Sequence, residues 1–509
     1  FNGPYLTRCM MVEFCVTLFE EKALSKTKVR VASWSPKIDI IALGSPNGTL
    51  SLHRYKMSLT WEVHSPELGA VTQLAWQPNG KVIAAAYETQ KIQMFNLSDG
   101  SLIHHLTFDK PISDLRWIEC DPPSGRTTNL PHSSDYFPPF DALAIFADEV
   151  SNHQKVFQLS KTFLDPDSKL SVLLVYLDGC IRLFGCGVYE IARVDTNSFN
   201  RTFLQSFLAA DLSSLYHLTT TTDKNSCLEL QLHKLDTRPL STLRRPLKHL
   251  SFHISALLHC KQILLWSLKQ LKNAWENTLL ELDTKLTAYA RERLHASASW
   301  SLRNELLEII LFGHISSAFQ KFLATEWTSN SIRRAGVTML KAYESMKAIT
   351  FQQLQFGLMR LIFEASEFLG FARNRYHYHL FNISETTILH LIRDAGATLQ
   401  KAQELHLVVE HCSQYLRPFF KWLYGVAVTS TKIDSDKNAQ KITSQERDLI
   451  INFVTEKLRP LIVDGELKSY QIELVEQVDF VGTLCSLSFL RSPICLFLTQ
   501  RLFIPKVYP

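Results

Sequence analysis

His249 and His253 stand four residues apart, a spacing that sets two imidazoles on one face of a helix, where they could ligate a transition metal. No acidic residue accompanies them on that face, so the spacing alone points to no metal. Tyr376-His377-Tyr378-His379 gathers two further imidazoles in what reads as an interhelical loop, a position suited to solvent or a partner. Gly44-Ser45-Pro46-Asn47-Gly48 has the outline of a turn that presents a nucleophilic serine, but Ser45 occupies the second position rather than the third. Gly185-Cys186-Gly187 lacks the third glycine of a dinucleotide loop and lies between two strands. None of the 10 cysteines forms a C-x-x-C pair, and no Walker-type loop occurs. The expectation is therefore no catalytic residue, no metal ligand, no cofactor and no small-molecule ligand.

Residues suited to contact rather than chemistry are more prominent. Phe419, Phe420, Trp422 and Tyr424 crowd into six positions, and aromatics of this kind serve either as interface hot spots or as bundle core. Both readings stay open. Arg238, Arg244, Arg245 and Lys248 form a basic cluster at a domain junction, which reads as a solvated linker that also caps strands.

The elements that position these residues differ between the two halves. Residues 1–246 hold 14 Pro and 10 Gly, residues 247–509 only 5 Pro and 8 Gly, and no proline occurs from Leu247 to Arg417. Proline lacks the N–H a helix interior needs and clashes with the preceding turn, so this gap predicts long helices. In the first half, Trp34-Ser35-Pro36 recurs as Trp76-Gln77-Pro78 at a spacing of 42, and Trp117 follows 41 residues later. Asn79-Gly80 supplies a turn and Ile83-Ala84-Ala85-Ala86 a strand small enough to be covered on both faces. A period of ~40–45 residues with several short strands per unit is the pattern of a WD-repeat-type β-propeller. The structural positions of this repeat are Trp34, Pro36, Trp76, Pro78, Gly80 and Trp117. Later units run through an Asp178-Gly179 hairpin and from Leu204 to Leu235, giving about four blades where a closed ring holds six to eight.

In the second half a helix is predicted from Leu247 to Leu294. Its seam places Leu257, Leu264, Leu271 and Thr278 at one heptad position and Leu268, Trp275, Leu282 and Tyr289 at the other. Further helices are predicted at 302–325, 331–372, 386–422 and 444–458, the last with a capped start at Thr443. The fold class is thus a β-propeller plus an all-α long helical bundle. Three segments are predicted: 1–246 as propeller blades in an incomplete ring with an insertion at about 120–165, 247–465 as an antiparallel bundle, and 466–509 as a C-terminal segment that starts truncated remaining blades.

Composition agrees with a protein-binding role. Lys+Arg 54 against Asp+Glu 49 leaves a formal charge of +5, too small for a dedicated nucleic-acid surface, and 46% hydrophobic residues with 20% charged exclude wholesale disorder. No apolar run approaches the ~18 residues of a membrane span. The apolar stretch from Cys9 to Phe19 is interrupted by Glu13 and lacks a small-residue cleavage site, so it does not read as a signal sequence. Sparse cysteines fit small buried side chains in a reducing, intracellular compartment.

Trp34-Ser35-Pro36-Lys37 with Asp39-Ile40-Ile41-Ala42-Leu43, then Leu74-Ala75-Trp76-Gln77-Pro78-Asn79-Gly80-Lys81, Ile191-Ala192-Arg193-Val194 and His253-Ile254-Ser255-Ala256-Leu257-Leu258 resemble the family of anaphase-promoting complex (cyclosome) subunit 4. Phe419-Phe420-Lys421-Trp422-Leu423-Tyr424 resembles a stretch of that family's helical domain. The resemblance implies a non-catalytic scaffold in a cullin-RING-type ubiquitin ligase that controls mitotic progression, in nucleus and cytoplasm, bound to the large scaffold subunits one and five. It also implies a bundle inserted into the propeller, with the remaining blades after it; the residues beyond the last predicted helix are too few for them, so the chain reads either as a fragment or as divergent at its C-terminal end. A propeller-plus-helix scaffold of a vesicle coat is the alternative. A substrate-recognising activator ranks lower, because such proteins carry an Ile-Arg tail where this chain has Lys506-Val507-Tyr508-Pro509.

Overall fold

The computed structural model describes residues 28–54, 58–120, 169–195, 202–222, 228–296, 300–374, 383–431, 442–463 and 466–472, together with Tyr378 and Phe381. The side chains of 202, 221–222, 228–229, 275–283, 431, 459–463 and 466–472 are not described. The expected insertion at 120–165, the loop with His377 and His379, and the seam residues Trp275, Thr278 and Leu282 fall outside what is described, as does most of 466–509.

The repeat folds as antiparallel four-stranded sheets. β1 (Val31–Trp34), β2 (Ile40–Gly44), β3 (Thr49–Arg54) and β4 (Ser58–His64) form the first in sequence order, and β5 (Val71–Trp76), β6 (Val82–Tyr87), β7 (Lys91–Asn96) and β8 (Leu102–Thr107) the second. The third is ordered β12-β11-β10-β9, from β9 (Ile112–Glu119), β10 (Ser171–Leu177), β11 (Cys180–Gly185) and β12 (Tyr189–Asp195). A fourth has three strands, β13 (Thr202–Leu208), β14 (Ser214–Thr222) and β15 (Leu228–Asp236). The described residues form two compact units, residues 1–117 with 175–179 and residues 118–174 with 180–509.

Burial follows from strand position. Every residue of β6 is buried, and its three alanines, paired with Gln73, Leu74 and Ala75 on one side and Ile92, Gln93 and Met94 on the other, leave room for neighbouring layers. Third strands carry apolar residues two apart: Leu50 and Leu52, Ile92 and Met94, Ile181 and Leu183, all essentially inaccessible. Outer strands alternate instead, as in β4. Gly80 turns the Pro78-Asn79-Gly80 corner at φ 73°, a left-handed conformation that side chains disfavour.

The second half is helical. After α1 (Arg238–Thr242), α2 (Arg244–Ala296) runs for 53 residues, about 80 Å at 1.5 Å per residue. Its predicted seam is buried where described, at Leu257, Leu264, Leu268, Leu271 and Tyr289. The single helix expected over 302–325 is two: α3 (Leu302–Phe312) and α4 (Ser317–Thr325), bent by 96° where Gly313 adopts φ 69° and Ser316 caps α4. A residue in that conformation cannot continue a right-handed helix, which a proline-based reading does not detect. α5 (Ser329–Ala348) and α6 (Phe356–Arg373) are joined without a break through a π-helical turn, Ile349–Gln355.

α7 (Glu385–Thr431) passes through Pro418 and ends well beyond the expected Trp422. α8 (Ser444–Asn452) starts on the predicted capping box of Thr443 and Glu446 and continues into a second π turn, Phe453–Lys457. A hairpin of β16 (Leu458–Val463) and β17 (Glu466–Ile472) follows, so strand begins ahead of residue 466. No single described helix is long and apolar enough to cross a membrane.

Candidate functional site

The residues that could have done chemistry are occupied by structure. Ser45 is buried; its hydroxyl accepts from the Asn47 N–H at 3.1 Å and its carbonyl from the Val71 N–H at 3.1 Å, which makes it a turn anchor. Cys186 sits in the β11–β12 turn at φ 50°, its N–H donating to the Ser171 carbonyl at 2.7 Å, and burial pushes its thiol up. Beside it the Tyr189 hydroxyl donates to the Leu247 carbonyl at 3.1 Å and meets Ser251 Oγ at 2.9 Å, tying β12 to the first turns of α2.

His249 and His253 do share a face, and it looks into the bundle. His253 Nδ1 and Glu364 Oε2 of α6 are 2.7 Å apart with both side chains buried. His249 Nδ1 meets the Tyr378 hydroxyl at 3.2 Å and stacks on Phe371, and burial pushes its imidazole down to about 4. Glu364 lies 111 residues from His253, so local spacing could not reveal it. Among the described residues no group of three or more His, Cys, Asp or Glu side chains is placed to hold a metal ion.

A second polar centre escaped sequence reading. Glu305, buried in the first turn of α3, accepts from the Tyr289 hydroxyl (3.0 and 2.9 Å), the Trp300 indole (3.0 Å) and the Ser316 hydroxyl. It thereby joins α2, α3 and α4. A charge-assisted contact of this sort offsets the cost of a buried carboxylate only when its lone pairs are filled, as they are here.

The repeat residues occupy equivalent positions in unequal surroundings. Trp76 is 7% exposed and its indole donates to the Ser33 carbonyl of the preceding sheet at 3.1 Å, whereas Trp34, on the first described sheet, is 60% exposed. Trp117 is buried, Pro36 exposed, Pro78 half-buried and Gly80 buried against Lys37. On α7, Phe419, Phe420 and Trp422 are buried in one cluster, with Phe419 4.8 Å from Phe453, 5.7 Å from Phe420 and 5.9 Å from Trp422. Tyr424 is half-buried. Lys421, between them, points instead to Glu446 at 2.9 Å and holds that carboxyl below the usual range. Of the basic cluster, Arg238 pairs with Asp236 next to it in space, on the surface where β15 gives way to α1.

What these surroundings describe is a molecule built from interfaces, and comparison with known proteins gives it a family. The model of the family described as anaphase-promoting complex, cyclosome, subunit 4 matches residues 231–432. That of the anaphase-promoting complex subunit 4 WD40 domain matches residues 32–120. Together they take in more than half of the chain. The chain belongs to the anaphase-promoting complex subunit 4 family. Within that family it is 28% identical over 462 residues to anaphase-promoting complex subunit 4 of Homo sapiens, covering 87% of this chain and 56% of that protein. To the Mus musculus protein of the same name it is 27% identical over 479 residues, covering 90% and 57%. The chain thus spans about half the length of the curated relatives it matches. Among solved structures, the WD40 domain of SCAP from fission yeast aligns with 42% of this chain and 42% of its own, at 9% identity and a TM-score of 0.26. The WD40 match falls on the first two sheets and the start of the third, and the larger match on β15 to α7, so the two kinds of element carry the family identity separately.

Proposed function

We propose that this member of the subunit 4 family is a non-catalytic scaffold of the anaphase-promoting complex, a cullin-RING-type ubiquitin ligase of the cell cycle, working in nucleus and cytoplasm. The observation that carries the proposal is that both halves, strand-built and helical, match models of the same complex subunit in chain order. The physical character of the molecule supports it. Serine, cysteine and histidine side chains that could have been reactive are held in turns and cores, while a helix of about 80 Å offers a long surface of the kind neighbouring subunits occupy. The large scaffold subunits one and five are the proposed neighbours.

Affinity purification of the tagged full-length protein from its own cells is the test. Recovery of a very large assembly that contains a cullin-like and a RING subunit is expected. A monomer, or an assembly of vesicle-coat proteins without ubiquitin machinery, overturns it.

A further inference from the structure

From Thr237 to Trp275 the sequence contains no Asp or Glu and seven Lys or Arg. Most of this stretch is α2, so the imbalance is wound onto a helix, and four of the seven basic residues, Arg238, Arg245, Lys269 and Lys272, are exposed. Lys261, Leu265, Lys269 and Lys272 follow one another at intervals of three and four, which keeps them on one stripe that flanks the buried Leu257, Leu264, Leu268 and Leu271. Lys269 and Lys272 are exposed, Lys261 half-buried, and Leu265 at the centre is 41% exposed.

Elsewhere in the helical half several lysines and arginines meet carboxylates: Lys347 with Glu410 at 3.1 Å, Lys401 with Glu404 at 2.7 Å, Lys421 with Glu446 at 2.9 Å and Arg373 with Glu385 at 2.7 Å. Lys261 and Lys269 meet none among the described residues. A solvated helix face ordinarily intersperses both signs. Here one sign is withheld over a continuous stretch around an exposed leucine.

We infer that this stripe docks an acidic amphipathic helix of a neighbouring protein. The inference rests on the scaffold reading and adds the chemistry of one partner. Lys261 to Lys272 spans about 16 Å along the axis, three helical turns. An antiparallel or parallel partner helix with carboxylates at the same three- and four-residue intervals, and an apolar residue between them to cover Leu265, matches it in length, sign and pattern, as charged flanks match across a coiled-coil seam. Exposed pairs contribute little singly, roughly 0.2–1 kcal/mol, so the lysines act mainly in partner choice and encounter rate while Leu265 supplies the buried centre. Nucleic acid fits less well: the formal charge of +5 over 509 residues provides no wider basic field around the stripe.

The test uses the tagged full-length protein in its own cells, with Leu265→p-benzoylphenylalanine as a photo-crosslinking probe. The expected product is a crosslink to a peptide with at least three Asp or Glu at three- or four-residue intervals. Lys261→Glu, Lys269→Glu and Lys272→Glu together are expected to cut its yield at least ten-fold without changing the circular dichroism or urea midpoint. Should the triple reversal unfold the protein, the Lys→Gln triple is read in its place, with a loss of at least three-fold expected. A crosslink to nucleic acid, to this chain's own strands or to a peptide without that acidic spacing, no crosslink, or an unchanged yield in the triple variant each overturns the inference. Loss of the stripe's crosslink with the large assembly still recovered leaves the scaffold reading intact, whereas absence of the assembly from the wild-type purification counts against that reading itself.

Discussion

Glu305 shows what a single side chain does in this bundle. Its carboxylate gathers donors from Tyr289 at the end of α2, from Trp300 in the connection and from Ser316 at the cap of α4, just where the chain turns by 96°. Tyr289 also packs against Phe319 and Phe322, so the polar contact and the aromatic one fix the same corner. Removing the carboxylate leaves a buried hydroxyl and indole without their acceptor, which costs more than the net worth of the bonds themselves. Glu305→Ala is expected to destabilise the protein by about 3 kcal/mol, read as a lower urea midpoint with unchanged slope. A change below about 0.5 kcal/mol contradicts this account. Nothing in the sequence distinguishes Glu305 from any other first-turn acid, because the feature that matters is the approach of α2 and α4, which only the fold supplies. The aromatic run at Phe419–Tyr424 was legible as important yet not as core or surface: the burial of Phe419 depends on Phe453, which comes from another helix end.

The seam between α2 and α6 sets an acid limit on the helical half. His249 and His259 lie on the inward side of α2, facing Arg360, Glu364 and Phe371 of α6, with Tyr378 beyond and Lys248 and Arg245 on α2 itself. Burial pushes His249 down to about 4, and burial together with the Arg360 charge pushes His259 down to about 3. Both pKa values lie below that of an unfolded histidine, about 6.5, so the unfolded chain binds protons first. The stability that neutral imidazoles confer is therefore complete above pH 6.5 and is lost as pH falls toward 3–4. By pH 5 His259 alone is expected to cost about 2 kcal/mol. Urea midpoints between pH 7.5 and 5 measure the slope, and His259→Met, of similar bulk and without a titrating group, is expected to flatten it. An unaltered slope rejects the assignment. At this scale the sequence was a good guide. The proline gap located both ends of α2, the span from the start of α5 to the end of α6 and the start of α7 to within a few residues, and the Thr443 box located the start of α8. It misled where a break needs no proline: Gly313 divides the helix expected over 302–325, and a non-helical φ at one glycine leaves no periodic trace.

In the strand-built half, the first sheet and the three-stranded sheet each leave exposed residues whose counterparts in other sheets are buried. On the first sheet Trp34 is 60% exposed, although its counterpart Trp76 is buried against the sheet before it. On the three-stranded sheet, β15 repeats the apolar pair of the third strands, Leu230 and Leu232, opposite Thr220 and Leu218 of β14. Leu50, Leu52, Ile92, Met94, Ile181 and Leu183 at that position are within 1% of complete burial, whereas Leu230 and Leu232 are 63% and 64% exposed. The sheets differ in extent as well: β3, β7 and β11 each have an outer strand, and β15 has none among the described residues. The 42-residue period therefore specified the pattern of each sheet but not its complement of neighbours, since a repeat encodes one unit and not the number of units. Leu230→Thr with Leu232→Thr measures this directly, because threonine, being β-branched, suits a strand while removing the apolar surface. If the pair is uncovered, the double variant of this chain keeps its urea midpoint within about 0.5 kcal/mol and binds less of an apolar dye such as ANS. If a further strand or blade lies over the pair, the same substitutions empty two core positions and the loss exceeds 2 kcal/mol, as it does for buried leucines elsewhere. Applied to Leu50 and Leu52 of the first sheet, the exchange is expected to give the second result, so one assay on two sheets separates a blade that is complete from one whose outer layer comes from elsewhere.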